Sequence, residues 1–352
     1  MNSVIDSKTL NIIDANIDRA LEGLRFIEDV CRFALQNKEL NSRLKKNRHE
    51  IIKTLKSLAL NRTDLAISRA KGNDVGSNIL QKEEFNKNFD ELLLANFSRM
   101  QESLRVLEEL SKIYSISAAK SFKSLRFYNY KIQTDFFILY KKSQRMKIFN
   151  NSKIYAVLTL KDSKKYIPLV KSLLKAGIRI IQLRAKTLSD KEILKIGKQL
   201  LLLTKKFNAI LIIDDRADLA FAIGADGVHL GQDDLSVKDA RAILGNEFVM
   251  GKSTHSKKQV DSALKENPDY FSVGPIFNTN TVPYKPVGPS LIKYAKTKNK
   301  PFVAIGGLNL ETMHIAFKSG AKRIAVVKAV CNVPNPEKSA RLILAKADKL
   351  AK

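Results

Sequence analysis

Ile210-Leu211-Ile212-Ile213-Asp214-Asp215 is an apolar, β-branched run that ends in two acidic residues. Similar short apolar runs recur between residues 154 and 327, separated by stretches of helical periodicity. The eight runs are Ile154–Leu158, Arg179–Leu183, Ile210–Ile213, Gly227–Leu230, Phe248–Gly251, Tyr270–Val273, Phe302–Ile305 and Ile324–Val327. Such runs are typical of parallel strands that are buried on both faces. Residues 150–352 are therefore predicted to form an α/β domain, a (β/α)8 TIM barrel, with a doubly wound open sheet as the alternative.

Residues 1–146 have a different pattern, with long stretches of helical period and few β-branched clusters. They are predicted to form an all-α domain that precedes the barrel. Ala15-Asn16-Ile17-Asp18-Arg19 and Ala95-Asn96-Phe97-Ser98-Arg99 begin two copies of an internal repeat whose positions are offset by 80 residues. The repeated charged positions either form solvated pairs or meet in a pseudo-symmetric site, and the pattern leaves both readings open.

The composition is that of a soluble globular protein, with 352 residues, 44% hydrophobic and 28% charged. No apolar stretch approaches the length of a membrane span, and the N-terminus lacks the pattern of a secretory signal. The two cysteines, Cys31 and Cys331, argue against a disulfide framework, so a cytoplasmic protein is expected. The net charge of +27 is spread over both halves, which favours a lysine-rich surface over a nucleic-acid interface.

Basic side chains follow the second predicted strand. Gln182, Arg184 and Lys186 alternate along the chain, so they point to one side as the strand ends. Arginine offers a bidentate fork and lysine a mobile point charge to phosphate oxygens. This pattern indicates a diphosphate clamp at the C-terminal rim of the barrel.

Carboxylates follow the next two strands, at Asp214-Asp215 and at Asp233-Asp234. The carboxyl ends of barrel strands meet at one rim, and Mg²⁺ prefers one or two carboxylates together with phosphate oxygens. A single Asp at such a position is also a common helix N-cap. The group as a whole predicts a Mg²⁺ and diphosphate site.

The remaining loops of this rim supply small and flexible residues. Ser253 and the stretch 278–281 carry hydroxyl and amide groups, and Gly306-Gly307 follows the seventh run. Paired glycines let backbone N–H groups approach a phosphate closely, as the last loops of such barrels often do. His229 and His255 are interpreted as structural residues.

The stretch from Tyr155 to Val330 resembles the thiamine-phosphate synthase family. The matching motifs, in the family's order, are QLRAK, DDRADLA, ADGVHLGQDD, GKSTHS, DYFSVGPIFNTNT and AIGGLN. The resemblance implies that a pyrimidine diphosphate and a thiazole phosphate are joined with the help of Mg²⁺. Diphosphate departs, and the thiazole nitrogen captures a pyrimidine methylene cation without a protein nucleophile.

The resemblance also implies individual roles. Catalytic roles fall on Arg184, Lys186 and Ser253, and metal binding on Asp215 and Asp234. Substrate binding falls on Gln182, Arg184, Lys186, Asp214, Ser253, Thr279, Thr281, Lys285, Gly306, Gly307, Val327 and Lys328.

The sequence departs from the family pattern at three positions, 214, 282 and 328. Asp214 stands where the family usually has Asn, and Val282 stands where a diphosphate-binding Lys is usual. Lys285, three residues further on, is a candidate substitute. Lys328 follows Val327 where many members have Ser, and it is expected to pair with the thiazole phosphate.

The helical half, over residues 8–135, resembles a domain fused ahead of such synthases and described as an alternative hydroxymethylpyrimidine-phosphate kinase. The matching features are the doubled repeat and Gly72-Asn73-Asp74-Val75-Gly76. The resemblance implies ATP as a partner, although the sequence has no Walker-type loop. The candidate site residues are Asn16, Arg19, Glu22, Arg25, Asn96, Arg99, Glu102 and Arg105.

The alternative function is a barrel related to a thiazole tautomerase, fused to a helical domain that only binds partners. Retention of Arg184, Lys186, Asp215 and Asp234 argues against that alternative, because a tautomerase has no diphosphate to hold. Neither reading predicts an oligomeric state, and a homo-oligomer is compatible with both.

Overall fold

The computed structural model describes residues 5–60, 62–70, 88–159, 166–280 and 284–351. It divides into two compact units, residues 1–140 and 141–352. No helix in the described part of the chain is long and apolar enough to span a membrane. Thr281, Val282 and the segment 72–76, all singled out from the sequence, lie outside the described residues.

The first unit is helical. Its helices are α1 (Ser7–Asp29), a π-helical turn (Val30–Leu35), α2 (Lys38–Lys56), α3 (Arg62–Ala70), α4 (Phe89–Tyr114) and α5 (Ile116–Asn151), of which residues 141–151 belong to the second unit. Asp6 caps α1 and Asn88 caps α4, each through a side-chain oxygen that accepts from the first helical turn. A core of Ile17, Leu24, Phe97 and Leu104, with their neighbours, is fully buried because these positions share one face of α1 or α4.

The second unit is a closed barrel of eight parallel strands, in the order in which they follow along the chain. Its strands are β1 (Ile154–Thr159), β2 (Ile180–Arg184), β3 (Ile210–Asp214), β4 (Gly227–Leu230), β5 (Val249–Thr254), β6 (Tyr270–Val273), β7 (Phe302–Ala304) and β8 (Ile324–Val326). The predicted fold class is thus confirmed, and all eight predicted runs contain a strand.

Helices alternate with these strands and cover the outside of the barrel. They are α6 (Tyr166–Ala176), α7 (Asp190–Lys206), α8 (Ala217–Ile223), α9 (Val237–Leu244), α10 (Lys257–Glu266), α11 (Pro289–Lys296), α12 (Met313–Lys318), α13 (Lys328–Cys331) and α14 (Pro336–Leu350). A capping box of Ser189 and Glu192 begins α7. Outward-facing strand residues such as Leu211 and Val228 pack against the apolar faces of these helices.

Inward-facing residues fill the lower part of the barrel. Tyr155, Ile210, Val249, Val303 and their neighbours form a separate apolar cluster inside the sheet. Strand residues alternate between the two sides of the sheet, so the inward positions nearer the C-terminal ends continue upward from this cluster. Those upper positions are polar in β2 to β6, and this switch from apolar to polar residues positions the site.

Candidate active site in the barrel

A cavity of about 520 Å³ opens at the C-terminal ends of the strands. Its lining combines the last inward residues of β2 to β6 with the loops after β6, β7 and β8. The lining residues are Val157, Gln182, Arg184, Asp214, His229, Ser253, His255, Ser272, Gly274, Pro275, Asn278, Thr279, Asn280, Ile305, Gly306, Gly307, Leu308, Asn309, Ala325, Val327, Lys328 and Ala329.

The cavity brings together most of the residues singled out from the sequence. Those that line it are Gln182, Arg184, Asp214, Ser253, Thr279, Gly306, Gly307, Val327 and Lys328. Lys186, Asp215, Asp234 and Lys285 are not part of its lining. Lys285 is exposed. Lys186, Asp215 and Asp234 form a second cluster, centred on Asp215, which directly follows Asp214 in the chain.

Asp214 connects the two side chains of β2. Gln182 Nε2 donates to one of its carboxylate oxygens, and Arg184 Nη1 forms a salt bridge with the other. Burial, and then the nearby charge of Asp215, raise the pKa of Asp214 to about 7, against the lowering effect of Arg184. The contacts with both β2 side chains hold the guanidinium of Arg184 in place at the cavity wall.

Asp215 lies at the centre of the second cluster. Lys186 Nζ lies 2.9 Å from its Oδ2, and the Asp234 side chain hydrogen-bonds to it. The φ angle of Asp215 is +63°, in the left-handed region, while its backbone N–H donates to the His229 carbonyl oxygen over 2.8 Å. The backbone therefore leaves the extended strand conformation at Asp215, directly after β3 ends at Asp214.

The pKa values of the two carboxylates in this cluster shift in opposite directions. Burial acts to raise the pKa of Asp215, but the hydrogen bonds from Lys186 and Asp234 outweigh it and the pKa is lowered. Burial and the hydrogen bond to Asp215 raise the pKa of Asp234, whose Oδ2 also accepts from the Gly231 N–H over 2.6 Å. Asp215 therefore loses its proton more readily than an ordinary aspartate, and Asp234 less readily.

This pair fits a divalent cation. The two carboxylates lie within hydrogen-bonding reach of each other, and their oxygens are hard ligands of the kind that Mg²⁺ prefers. No cluster of three or more His, Cys, Asp or Glu side chains suited to a metal occurs among the described residues. The remaining ligands of a cation held here would therefore come from water or from substrate phosphate oxygens.

A buried hydrogen-bond chain runs along the barrel interior to Ser253. The Tyr155 and Tyr270 hydroxyls lie 2.9 Å apart, and Tyr270 Oη lies 3.0 Å from His229 Nδ1. His229 Nε2 lies 2.9 Å from Ser253 Oγ and 3.3 Å from Ser272 Oγ. Burial lowers the pKa of His229 to about 4, so its ring is neutral near pH 7.

The loops after β6 and β7 form the opposite wall. Gly306 and Gly307 have φ angles of +98° and +65°, and a Cβ on Gly306 would lie 2.4 Å from Pro275. Only glycine permits this backbone to pack so closely. The Thr312 hydroxyl donates to the Gly307 carbonyl oxygen over 2.9 Å and holds the turn in place.

His255 closes the wall between Ser253 and the β6 loop. Its Nδ1 lies 2.6 Å from the Gly274 carbonyl oxygen, and its ring stacks on Tyr284 at 4.2 Å between centroids. The Gly274 carbonyl oxygen accepts a hydrogen bond, so His255 Nδ1 carries a hydrogen. The sequence predicts a site role for Ser253 in this stretch and interprets His255 as a structural residue.

Sequence reasoning assigned no site role to several residues that the structure places at the cavity or beneath it. They are His229, His255, Ser272, Asn278, Asn280, Tyr155 and Tyr270. The signal for the first was present, because His229 stands at an inward position of β4 between two acidic loops. The tyrosines carry no such signal, since inward aromatic residues are equally typical of a packed barrel.

In the helical unit, the duplicated residues adopt equivalent structures. Asn16 Nδ2 donates to the Ile12 carbonyl oxygen and Asn96 Nδ2 to that of Leu92, each over 2.8 Å. Both amides are buried. A Cβ on Gly23 would lie 2.8 Å from the Asn96 carbonyl oxygen, so α1 and α4 are in close contact there.

The charged positions of the repeat are placed on exposed faces near that contact. These residues are Arg19, Glu22 and Arg25 on α1 and Arg99, Glu102 and Arg105 on α4. Because Gly23 meets Asn96, Arg19 and Arg99 each lie within about one turn of the point where the helices touch. Arg105 forms salt bridges with Glu108 at 3.1 Å and with Glu109 at 2.6 Å, one turn further along α4.

Two buried carboxylates are also related by the repeat. Glu28 pairs with Arg48 at 3.3 Å and Glu108 pairs with Arg126 at 2.9 Å. The repeat predicts equivalent acidic positions at 28 and 108 but not their arginine partners on α2 and α5. Those partners lie outside the repeat motif, so its spacing contains no signal for them.

Comparisons with known proteins agree with this geometry. The family described as thiamine monophosphate synthase matches residues 154–330, and the family described as ThiD2 matches residues 11–135. A "Thiamine-phosphate synthase" of Nostoc punctiforme is 35% identical over 342 residues, covering 96% of this chain and 94% of the relative. One from Synechocystis is 33% identical and covers 96% of each chain.

A solved structure shares the barrel. A thiamine phosphate pyrophosphorylase from Pyrococcus furiosus aligns with a TM-score of 0.54 and 31% identity, over 58% of this chain and 98% of that one. Together with the family match and the full-length relatives, this similarity confirms the resemblance inferred from the motifs. The chain belongs to the thiamine-phosphate synthase family and is an enzyme of the transferase class.

Proposed function

We propose that the barrel, residues 150–352, condenses 4-amino-2-methyl-5-pyrimidinylmethyl diphosphate with 4-methyl-5-(2-phosphoethyl)-thiazole to give thiamine phosphate and diphosphate. The observation that carries this proposal is one cavity walled on one side by Arg184 and Asp214 and on the other by Gly306 and Gly307. A cation clamp and a glycine turn at opposite walls suit two substrates that each bring a phosphate group.

Arg184 and Lys186 hold the diphosphate and stabilise its charge as it leaves. The bond between the pyrimidine methylene carbon and the diphosphate oxygen breaks, and the electron pair stays with the oxygen. The thiazole nitrogen then donates its lone pair to the methylene carbon. No side chain becomes bonded to substrate, so the contribution of the protein is position and electrostatic stabilisation.

Asp215 and Asp234 would hold Mg²⁺ in this proposal. The ion, when bound, neutralises charge on the diphosphate. Gln182 contacts the pyrimidine, and Ser253 contacts the pyrimidine or the diphosphate. The thiazole phosphate is received by Thr279, Thr281, Gly306, Gly307, Val327 and Lys328.

For the helical domain, residues 1–146, we propose phosphorylation of the pyrimidine monophosphate by ATP, which supplies the diphosphate that the barrel uses. The support is the match to the family described as ThiD2 and the placement of Arg19 and Arg99 beside the contact between α1 and α4. Two arginines near one contact between helices suit a ligand with several phosphate groups.

The barrel proposal is tested with the purified full chain, both substrates and Mg²⁺. We expect thiamine phosphate from the wild type and none above background from Asp215→Ala, with the unfolding midpoint retained. Asp233→Ala is the matched control, because Asp233 is exposed on the same loop as Asp234. An unaffected rate in Asp215→Ala would exclude the assigned metal site.

The kinase proposal is tested in the Asp215→Ala background, where the barrel does not consume the product. With ATP and pyrimidine monophosphate, we expect diphosphate product from this variant and a loss of it when Arg19→Ala or Arg99→Ala is added. Lys123→Ala, an exposed position on α5, is the control. No product in the parent variant would remove the kinase assignment and leave the helical domain as a binding module.

A further inference from the structure

The buried hydrogen-bond chain beneath Ser253 can run in either of two donor-to-acceptor directions. It consists of Tyr155, Tyr270 and His229, all inside the barrel, and it ends on a serine at the cavity wall. A neutral imidazole donates through one nitrogen and accepts through the other. The direction of the chain therefore decides whether Ser253 accepts from His229 or donates to it.

A buried cation lies near the two tyrosines of this chain, and its charge acts on both of them. Arg323 is 3% exposed, its Nε donates to the Ser152 carbonyl oxygen over 2.7 Å, and its guanidinium lies 3.9 Å from the centre of the Phe149 ring. The Phe149 ring centroid lies 4.4 Å from that of Tyr270. Arg323 and the two tyrosines thus occupy the same closed end of the barrel.

A cation at that end orients the hydroxyl dipoles. In a medium of low dielectric constant, an O–H group next to a positive charge turns its oxygen toward the charge and its proton away. Tyr155 then donates to Tyr270, and Tyr270 donates to His229 Nδ1. The hydrogen of the imidazole is left on Nε2, which donates to Ser253 Oγ over 2.9 Å.

We propose that Tyr155, Tyr270 and Arg323 are positioning residues that hold His229 as its Nε2–H tautomer, so that the Ser253 hydroxyl proton is directed at the substrate. This inference rests on the proposed function, in which Ser253 contacts the pyrimidine or the diphosphate. It adds that Ser253 acts as a donor to a lone pair on nitrogen or oxygen of the substrate. In the reversed chain, the Ser253 hydroxyl would donate to His229 Nε2 instead of to the substrate.

The packing around Gly251 supports the contact between His229 and Tyr270. A Cβ on Gly251 would lie 2.3 Å from His229 Nδ1 and 2.3 Å from the Tyr270 ring. The rings of His229 and Tyr270 stack at 5.4 Å between centroids. Glycine at this inward position of β5 leaves the space in which the two side chains meet.

The first test is the tautomer of His229, read from long-range ¹H–¹⁵N spectra of the full-length protein. We expect the hydrogen on Nε2 in the wild type and a shift toward Nδ1–H in Tyr270→Phe, which removes one hydroxyl and keeps the ring. Tyr294→Phe, on the outside of the barrel, should leave the spectrum unchanged. Hydrogen on Nδ1 in the wild type would overturn the proposal. This measurement does not depend on enzymatic activity.

The second test is a double-mutant cycle on thiamine phosphate formation. Losing one well-placed hydrogen bond costs about 1 kcal/mol, so we expect Tyr270→Phe to lower kcat by roughly fivefold, with the KM for thiazole phosphate unchanged. In a Ser253→Ala background the same substitution should have no further effect, since its target is absent. An equal loss in both backgrounds would mean that Tyr270 is merely structural. If the wild type makes no thiamine phosphate, the proposed function fails while the spectra still test the tautomer.

Discussion

Gly251 lies directly against His229, since a Cβ at position 251 would be 2.3 Å from Nδ1 of the imidazole. The same Cβ would meet the ring of Tyr270, so no small movement of one side chain relieves both contacts. A single hydrogen in place of a methyl group therefore determines where His229 sits. The position of Ser253, whose Oγ lies 2.9 Å from His229, depends on it in turn.

Gly251→Ala should therefore destabilise the barrel and impair the enzyme. Inserting a methyl group into a packed interior typically costs 1–3 kcal/mol, and here it also displaces a polar group from its partners. We expect a lower urea midpoint and a reduced kcat for thiamine phosphate formation. Retention of both would show that the barrel absorbs the methyl group without moving His229.

His229 should make the stability of the barrel depend on pH. Its pKa is lowered by burial from 6.5 to about 4, so between these values the unfolded chain binds a proton that the folded barrel does not. Stability is complete above pH 6.5 and is lost as the pH falls toward 4. From pH 8 to pH 5 we expect about 2 kcal/mol less unfolding free energy from this group. Asp214, whose pKa is raised to about 7, contributes in the opposite direction over this range. Urea unfolding of the wild type and of His229→Gln at both pH values isolates the His229 contribution, and equal differences in the two proteins would contradict it.

Asp214→Asn should strengthen binding of the diphosphate substrate. The substitution removes a carboxylate that forms a salt bridge with Arg184 and lies next to Asp215, while the amide oxygen can still accept. Freed from its partner, the guanidinium has more charge available for phosphate oxygens. We expect the KM for the diphosphate to fall about threefold to tenfold, or roughly 1 kcal/mol. Asp218→Asn, an exposed position, serves as control, and a raised KM would mean that Asp214 organises the clamp through its charge.

Lys285 and Lys328 should affect different substrates. Lys328 lines the cavity beside the glycine turn, so Lys328→Ala is expected to raise the KM for thiazole phosphate about tenfold through loss of one charged contact. Lys285 is exposed and would reach the diphosphate only if its loop folds over the site. Initial rates with one substrate varied at a time separate the two effects. An unchanged KM for the diphosphate in Lys285→Ala would mean that Val282 has no substitute.

The buried ion pairs of the helical unit should differ in strength. The side chains of Glu108 and Arg126 are 4% and 12% exposed, whereas those of Glu28 and Arg48 are 11% and 21% exposed. Removing one partner of a buried pair typically costs 3–5 kcal/mol, and less when solvent reaches it. Arg126→Met should therefore lower the unfolding midpoint more than Arg48→Met, as measured by thermal unfolding followed by circular dichroism. Arg99→Ala, at an exposed position, should change it little, and the reverse order would exclude solvent access as the cause.

The fold class of both halves follows from the order of residues along the chain. Eight apolar runs at regular spacing can bury two faces only as parallel strands covered by helices, and this periodicity is local. The repeat offset of 80 residues likewise placed Asn16 and Asn96 in equivalent positions. Strand ends such as Gln182-Leu183-Arg184 also indicated the rim of the site, because alternation alone puts both polar residues on one side.

Which polar groups meet depends on how the chain folds in three dimensions. The partners Glu108 and Arg126 come from different helices, and Tyr155, Tyr270 and Arg323 come from strands or loops more than 50 residues apart. Closure of the barrel brings them together, and no spacing in the sequence encodes those distances. The direction in which Ser253 points its proton is a consequence of that closure, because it depends on a cation at the far end of the barrel.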